Sequence, residues 1–303
     1  MILCCGEALV DLIPDGKTRI AHAGGAVFNT AIALGRLGAD AALLTGLSID
    51  EHGVLLRDTL VASGVSTRYA VESDRFTTRA VVHLNGDEAT YEFEDEGSAL
   101  RMLSPDDMPT IGPEVAALFL GGISLCALPV ADTLVGFAQA NAKGRLVMVD
   151  PNIRPGFITD EPAYRKRLAR LLSISHVVKV SADDLAWLYP DKTLREQIAA
   201  LHGQGPAVVL LTRGGDGASA FWAGKEAHAA APKVTTVDTI GAGDTFNAGF
   251  LSQAEQEGLL SPQAMAEADV DALTRCLSLG ARAAAVTVSR PGADPPTREE
   301  LPG

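Results

Sequence analysis

The chain has 303 residues, 47% hydrophobic and 21% charged, a globular composition long enough for a large buried core, which excludes a disordered or fibrous protein. A formal net charge of −13 sets a repulsive average field against nucleic acid, and no Lys/Arg run offsets it. The longest uncharged stretch, Val115 to Ala131, is broken by Gly121, Gly122 and Pro129 and falls short of the about 20 apolar residues that span a membrane.

From the N-terminus, "MILCC" reads as a strand buried on both faces, with Cys4 and Cys5 as small hydrophobes inside it. Glu7 and Asp11 follow too soon for a secretory signal. Cys4, Cys5, Cys126 and Cys276 show no C-x-x-C pair and no zinc spacing, as expected of a reducing cytoplasm. Val27 to Leu37 has a helical stripe of Val27, Ala31 and Leu34, with Gly38 as its C-cap. Asn29 falls about 200° round from Val27, off that stripe and open to a ligand.

"AALLTG", "ALFLGG", "RLVMVD", "HVVKV" and "AVVLLT" supply further buried strands, separated by helical patterns. The basic cluster "YRKRLAR" at 164–170 fits the solvated face of a helix whose apolar positions are Tyr164, Leu168, Leu171 and Leu172. Residues 77–96 break the alternation, with two strand-like arms around Asn85-Gly86, a hairpin dipeptide, and with Tyr91 and Phe93 on one face. These features predict an α/β fold in one domain, 1–303. Its doubly wound, mostly parallel sheet is flanked by helices, and residues of about 9–23 and 77–96 form a small second sheet.

Ligands of open α/β sheets sit beyond the carboxyl ends of the strands. Polar residues recur there: Glu7 and Asp11; Asp150, Asn152 and Arg154; Ser181, Asp183 and Asp184; then Arg213-Gly214-Gly215. Each has a plain alternative: Ser181 and Asp183 suit a helix N-cap, and Arg154 suits pairing with a nearby carboxylate.

In "DTIGAGDTFNAGF", residues 238–250, Gly241, Ala242 and Gly243 leave backbone N–H groups open at the start of a helix with Phe246, Phe250, Leu251 and Ala254 as its inner face. That is an anion cradle. Asp244 could simply complement the helix dipole, or it could take a proton from a substrate hydroxyl while the cradle holds phosphoryl charge. Neither a Walker loop nor a G-x-G-x-x-G after the first strand is present, which disfavours a P-loop enzyme and a dinucleotide oxidoreductase.

This stretch resembles the C-terminal signature of the ribokinase-like (PfkB) carbohydrate kinases. "HAGGAVFNTAIALGRLGADAALLTGLSIDEHG", residues 22–53, is similar to a second signature of that family. The resemblance implies a ribokinase-like fold with Asp244 as catalytic base and Gly241, Ala242 and Gly243 as the anion hole. It also implies Asp11, Gly24, Gly25 and Asn29 on sugar hydroxyls. "LLTRGGDGA" matches the family's nucleotide loop, so Thr212, Gly214 and Gly217, with Ser181 and Gly243, are expected near ATP. The hairpin becomes a β-lid that closes over the sugar and joins a homodimer.

The family's N-x-x-E element, which organises Mg²⁺, is replaced by Ser181 to Asp184, which leaves Asp184 to hold a metal-bound water. Asp238, Ile240, Thr287 and Gly292 align with a monovalent (K⁺) site, mostly through carbonyls. "FNTAIALGRLGA", "YEFEDEGSALRMLSPDDMP" and "VDPNIRPGF" look like fructokinases, with Tyr91 or Phe93 against the sugar and Arg154 on a sugar oxygen or phosphate. A 2-keto-3-deoxygluconate kinase, another sugar or nucleoside kinase of this family, and a sugar- or nucleotide-binding protein without catalysis stand as alternatives. The partners implied are a small sugar and ATP, with no nucleic acid and no membrane.

Overall fold

The computed structural model describes residues 1–16, 18–85 and 88–301, with only the backbone course described across 83–91. Its strands are β1 (Ile2–Cys5), β2 (Leu9–Asp15), β3 (Thr18–Gly24), β4 (Ala41–Leu44), β5 (Gly46–Ser48), β6 (Val71–Ser73), β7 (Arg79–Asn85), β8 (Glu88–Glu94), β9 (Ala117–Gly121), β10 (Leu146–Asp150), β11 (Val177–Ser181), β12 (Val208–Thr212), β13 (Ala218–Trp222) and β14 (Lys225–Ala229). The helices are α1 (Ala26–Arg36), α2 (Glu51–Ala62), α3 (Val130–Asn141), α4 (Glu161–Leu172), α5 (Ala182–Leu188), α6 (Leu194–His202), α7 (Ala242–Gln256), α8 (Pro262–Glu267) and α9 (Val270–Val288).

Eight strands form the main sheet in the order β14-β13-β12-β11-β10-β9-β1-β4. The run from β12 to β4 is parallel, and β13 and β14 add an antiparallel edge. Because side chains alternate along a strand, each parallel strand feeds two cores. Ile2, Cys4, Leu146, Met148, Val177, Val208 and Leu210 face the layer of α1, α7 and α9. Leu3, Cys5, Val147, Val149, Val178, Val180, Val209 and Leu211 face α3, α4 and α6.

The "AALLTG" run divides: β4 joins the main sheet, whereas β5 turns away to pair with β6. The second sheet, order β3-β2-β7-β8, is built from the stretches of about 9–23 and 77–96. Its β2/β3 and β7/β8 pairs are antiparallel, and β2 meets β7 in parallel. The expected Asn85-Gly86 turn lies outside the described residues.

Two local expectations need correction. Helix α4 does not turn all its basic residues to solvent, because Arg167 is 5% exposed. Its Nε donates to Asp132 Oδ1 at 3.1 Å and its Nη1 to the Leu125 carbonyl at 3.0 Å. A paired guanidinium can be buried where a lone one cannot. The C-cap of α1 is Leu37, and Gly38, at φ +80°, is the left-handed residue just after it. Cys4, Cys5 and Cys276 are buried free thiols, and burial pushes them up out of the reactive range. Among the described residues no helix is long and apolar enough to cross a membrane.

Candidate active site

The carboxyl end of the main sheet, the start of α1 and the start of α7 converge. Gly241 sits in the left-handed region at φ 77° and opens α7 without any side-chain cap. The N–H groups of a first turn lack partners within the helix. Asp244 stands in the first turn of α7, where its carboxylate complements the helix dipole, and it also reaches a distant partner. Its Oδ2 accepts a hydrogen bond from Asn29 Nδ2 at 3.0 Å, which ties the two signature stretches together across 215 residues of chain. Asp244 is 7% exposed, and burial pushes its carboxyl up to about 7, with Asn29 opposing the rise.

The glycine pair shapes the entrance. Gly24 ends β3 beside β2, and a Cβ on it would lie 2.7 Å from Asp11 Oδ2, so the carboxylate rests against bare backbone. Burial holds the Asp11 carboxyl above its usual range, against the pull of His22. Gly25, at φ +107°, is the N-cap of α1 and passes directly over Glu7. Glu7 is buried and accepts from the Ile123 and Ser124 N–H groups and from Ser124 Oγ, so the end of β1 and the turn after β9 are locked beneath the glycines.

On the other side of the α7 start, a cavity of about 620 Å³ is lined by Thr212, Gly214, Gly217 and Gly243, the anticipated nucleotide positions. Part of its wall was not foreseen: Lys233, Val234, Ala281, Ala284, Ala285 and Val288 line it too. Small side chains from α9 leave room there, and their spacing along a buried helix looks like ordinary core in the sequence. Ser181 does not line this cavity. Its Oγ caps α5 by accepting from the Asp184 N–H at 3.0 Å.

Asp184 completes that capping box, taking Ser181 N–H and Oγ on Oδ2 and the Ile153 N–H on Oδ1. Asp238 accepts from the Ile240 and Gly292 N–H groups, which hold its carboxyl below the usual range. Thr287 is buried and donates to Thr245 Oγ1 or the Ala283 carbonyl. Among the described residues no group of three or more His, Cys, Asp or Glu side chains is arranged to hold a metal.

Arg154 is exposed and, among the described residues, reaches only the Ile153 carbonyl, at 3.4 Å; no hydrogen bond ties it to Asp11 or Asp244. Phe93 meets Phe157 edge-on with ring centroids 4.9 Å apart, and the pair lines a separate cavity of about 450 Å³ that Asp244 does not touch. The side chain of Tyr91 lies outside the described residues. Sequence reasoning missed Lys179 and Asn247, which join Asp150 under α7: Lys179 Nζ lies 2.9 Å and Asn247 Nδ2 2.7 Å from Asp150 Oδ2.

A carboxyl pushed up to about 7 in the first turn of α7, between the Gly24-Gly25 entrance and a cavity of about 620 Å³, is an arrangement suited to a small-molecule phosphotransferase. The chain matches the model of the pfkB family carbohydrate kinases over residues 1–300, and it belongs to that family. It is 41% identical over 278 residues to a fructokinase of Rhizobium leguminosarum bv. trifolii, covering 90% of this chain and 85% of that protein. It is 32% identical to a fructokinase of Escherichia coli, over 98% of this chain and 96% of the relative. The fructokinase of Xylella fastidiosa solved with bound ATP superposes with a TM-score of 0.87 at 25% identity, covering 99% and 94% of the two chains.

Proposed function

We propose that this protein transfers the γ-phosphoryl group of MgATP to a hydroxyl of fructose. The Asn29–Asp244 contact carries the reading, because it fixes between Gly24-Gly25 and the start of α7 a carboxyl that burial pushes up to about 7. The similarity to fructokinases supports the choice of sugar.

In this reading the sugar lies on Asp11, Gly24, Gly25 and Asn29. ATP occupies the cavity beside Thr212, Gly214 and Gly217, with its γ-phosphate at the N–H groups of Gly241, Ala242 and Gly243. Asp244 removes the hydroxyl proton as the oxygen attacks phosphorus. The bond from phosphorus to the β–γ bridging oxygen breaks, and the cradle holds the developing charge. Mg²⁺ arrives with the nucleotide; Asp184, whose oxygens already take protein donors, acts on it at most through water. A monovalent cation would be met by carbonyls of the loop at 238–240 and of the end of α9 and the loop after it, 287–292, since Asp238's own oxygens are taken.

The four-stranded sheet is read as a lid that excludes water. Ile13 and Ile20, cross-strand partners on β2 and β3 and 41% and 47% exposed, would pack against a second copy. The test is coupled ADP release with MgATP over fructose, ribose, 2-keto-3-deoxygluconate, adenosine and fructose 6-phosphate, with Asp244→Asn alongside. Fructose turnover lost in the variant is expected. A higher kcat/KM on another member of the panel, or silence on all of them, overturns the fructose assignment.

A further inference from the structure

The floor of the site is a buried polar layer. Strand alternation puts Asp150 on the face of Leu146 and Met148, and Lys179 on the face of Val177, both toward α7. The register that pairs Val149 with Val178 then sets Asp150 beside Lys179. Lys179 is 4% exposed and Asp150 2%. Asp150 Oδ2 accepts from Lys179 Nζ and from Asn247 Nδ2, while Oδ1 accepts from the Asn152 N–H at 3.1 Å. Asn247 is three residues beyond Asp244, on the same side of α7.

Two details direct the ammonium toward the reacting groups. A Cβ on Gly243 would lie 3.1 Å from Lys179 Nζ, so a glycine there lets the cation come up under the cradle. An ammonium has three donors, and among the described residues Asp150 is the one acceptor it reaches. Burying an ion pair is seldom the most stable way to fill a core, which favours a functional reason for this one. Around Asp244 the charged groups are Asp150 from β10, Lys179 from β11 and Glu7 after β1, with neutral Asn29 from α1. Lys179 is the cation among them; burial alone would push its ammonium down, but Asp150 overcomes this and holds it up.

We propose that Lys179 is a positioning residue for the transfer: fixed by Asp150, it holds a permanent positive charge under Gly243 and beside Asp244, to which the carboxylate and the incoming phosphoryl group are the counter-charges. This rests on the phosphotransfer reading above. It assigns Gly243 a second task, as the opening through which that charge acts.

The test uses the full chain and three variants, Lys179→Met, Lys179→Arg and Lys179→Met/Asp150→Asn. In Lys179→Met the acid limb of kcat/KM against pH should move up by about one pH unit. Its kcat at pH 7 should fall at least tenfold while the sugar KM stays within about threefold, since the lost charge acts in the transition state. Lys179→Arg should keep the limb in place. The double variant, which also removes the Asp150 charge that Lys179 offsets, should bring the limb back toward wild type with kcat still low. A limb that stays put in Lys179→Met, with only the melting temperature changed, overturns the proposal.

The Asp244 carboxyl carbon, followed by ¹³C NMR and assigned by its disappearance in Asp244→Asn, gives the same titration without turnover. If wild type phosphorylates no sugar, an upward shift of that titration in Lys179→Met still supports the role of Lys179 while the kinase reading fails. An unchanged titration overturns the role of Lys179 by itself.

Discussion

Asn29 Nδ2 lies 3.0 Å from Asp244 Oδ2, and this bond opposes the burial that pushes the Asp244 carboxyl up to about 7 from an ordinary value of 3.8. The folded chain thus keeps a proton that the unfolded chain gives up near pH 4. Stability from this group is full below pH 4 and is lost as pH rises to about 7, a loss on the order of 4 kcal/mol. Asp244→Asn, which has no charge to bury, should therefore be more stable than wild type by up to about 4 kcal/mol at pH 8, and equally stable near pH 4. Urea unfolding at the two pH values checks this, and equal gains at both would remove the buried charge as the cause. Activity has the opposite dependence: wild-type kcat/KM should fall below about pH 7 as the base is protonated.

The two glycines of the entrance should fail differently when given a methyl group. At Gly24 the one close approach of the methyl is to the far end of the Asp11 side chain, which can move aside. Gly24→Ala should keep its melting temperature within a few degrees and raise the sugar KM about tenfold, about 1.4 kcal/mol of lost binding. At Gly25 the methyl meets the Glu7 carbonyl at 3.0 Å, and φ is +107°. Gly25→Ala should lose about 1–3 kcal/mol of stability from backbone strain alone. Calorimetric melting of the pair, with KM measured on each, decides it; equal melting points would contradict the assignment of strain to Gly25.

Much of this was legible in the sequence because it rests on local rules. The near-continuous apolar runs "RLVMVD" and "HVVKV" predict strands whose alternate side chains are buried on both faces, and Gly241 to Asp244 announces an open helix start. The same alternation held a further message that local reading passed over: Lys179 shares its parity with Val177 and must face the α7 core. Its meaning depends on Asp150 from another strand and Asn247 from a distant helix, and no short-range pattern reports such a meeting. Arg154 shows the converse, a residue well placed after its strand whose side chain ends at the surface. Ser181 followed the capping rule, but its capping-box partner is Asp184 rather than Asp183, and Asp184 also accepts from the Ile153 N–H.

The cavity proposed for the nucleotide can be tested separately from the sugar. Ala284 faces it from α9, opposite Thr212 and Gly214 on the β12 side. Ala284→Leu would fill part of the volume without touching the Asp11 entrance. The ATP KM should rise at least tenfold while the fructose KM changes less than twofold. Isothermal titration with ATP and with ADP alone, neither needing turnover, should show the same loss. Unchanged nucleotide affinity would move ATP out of this cavity.

Phe93 on β8 meets Phe157 in the loop after β10, edge-on at 4.9 Å, and so links the small sheet to the main domain. If the small sheet is the lid proposed above, an aromatic pair of this kind, which contributes about 0.5–1.5 kcal/mol beyond its buried area, biases it without locking it. Phe93→Ala should weaken closure, so sugar binding suffers and water competes for the phosphoryl group. ADP release should then exceed sugar phosphate formed, whereas wild type should give one for one. Measuring both products in one reaction checks this directly. A ratio of one in the variant, with only the melting temperature lowered, would make the Phe93–Phe157 contact a packing feature and leave lid closure to other residues of the sheet.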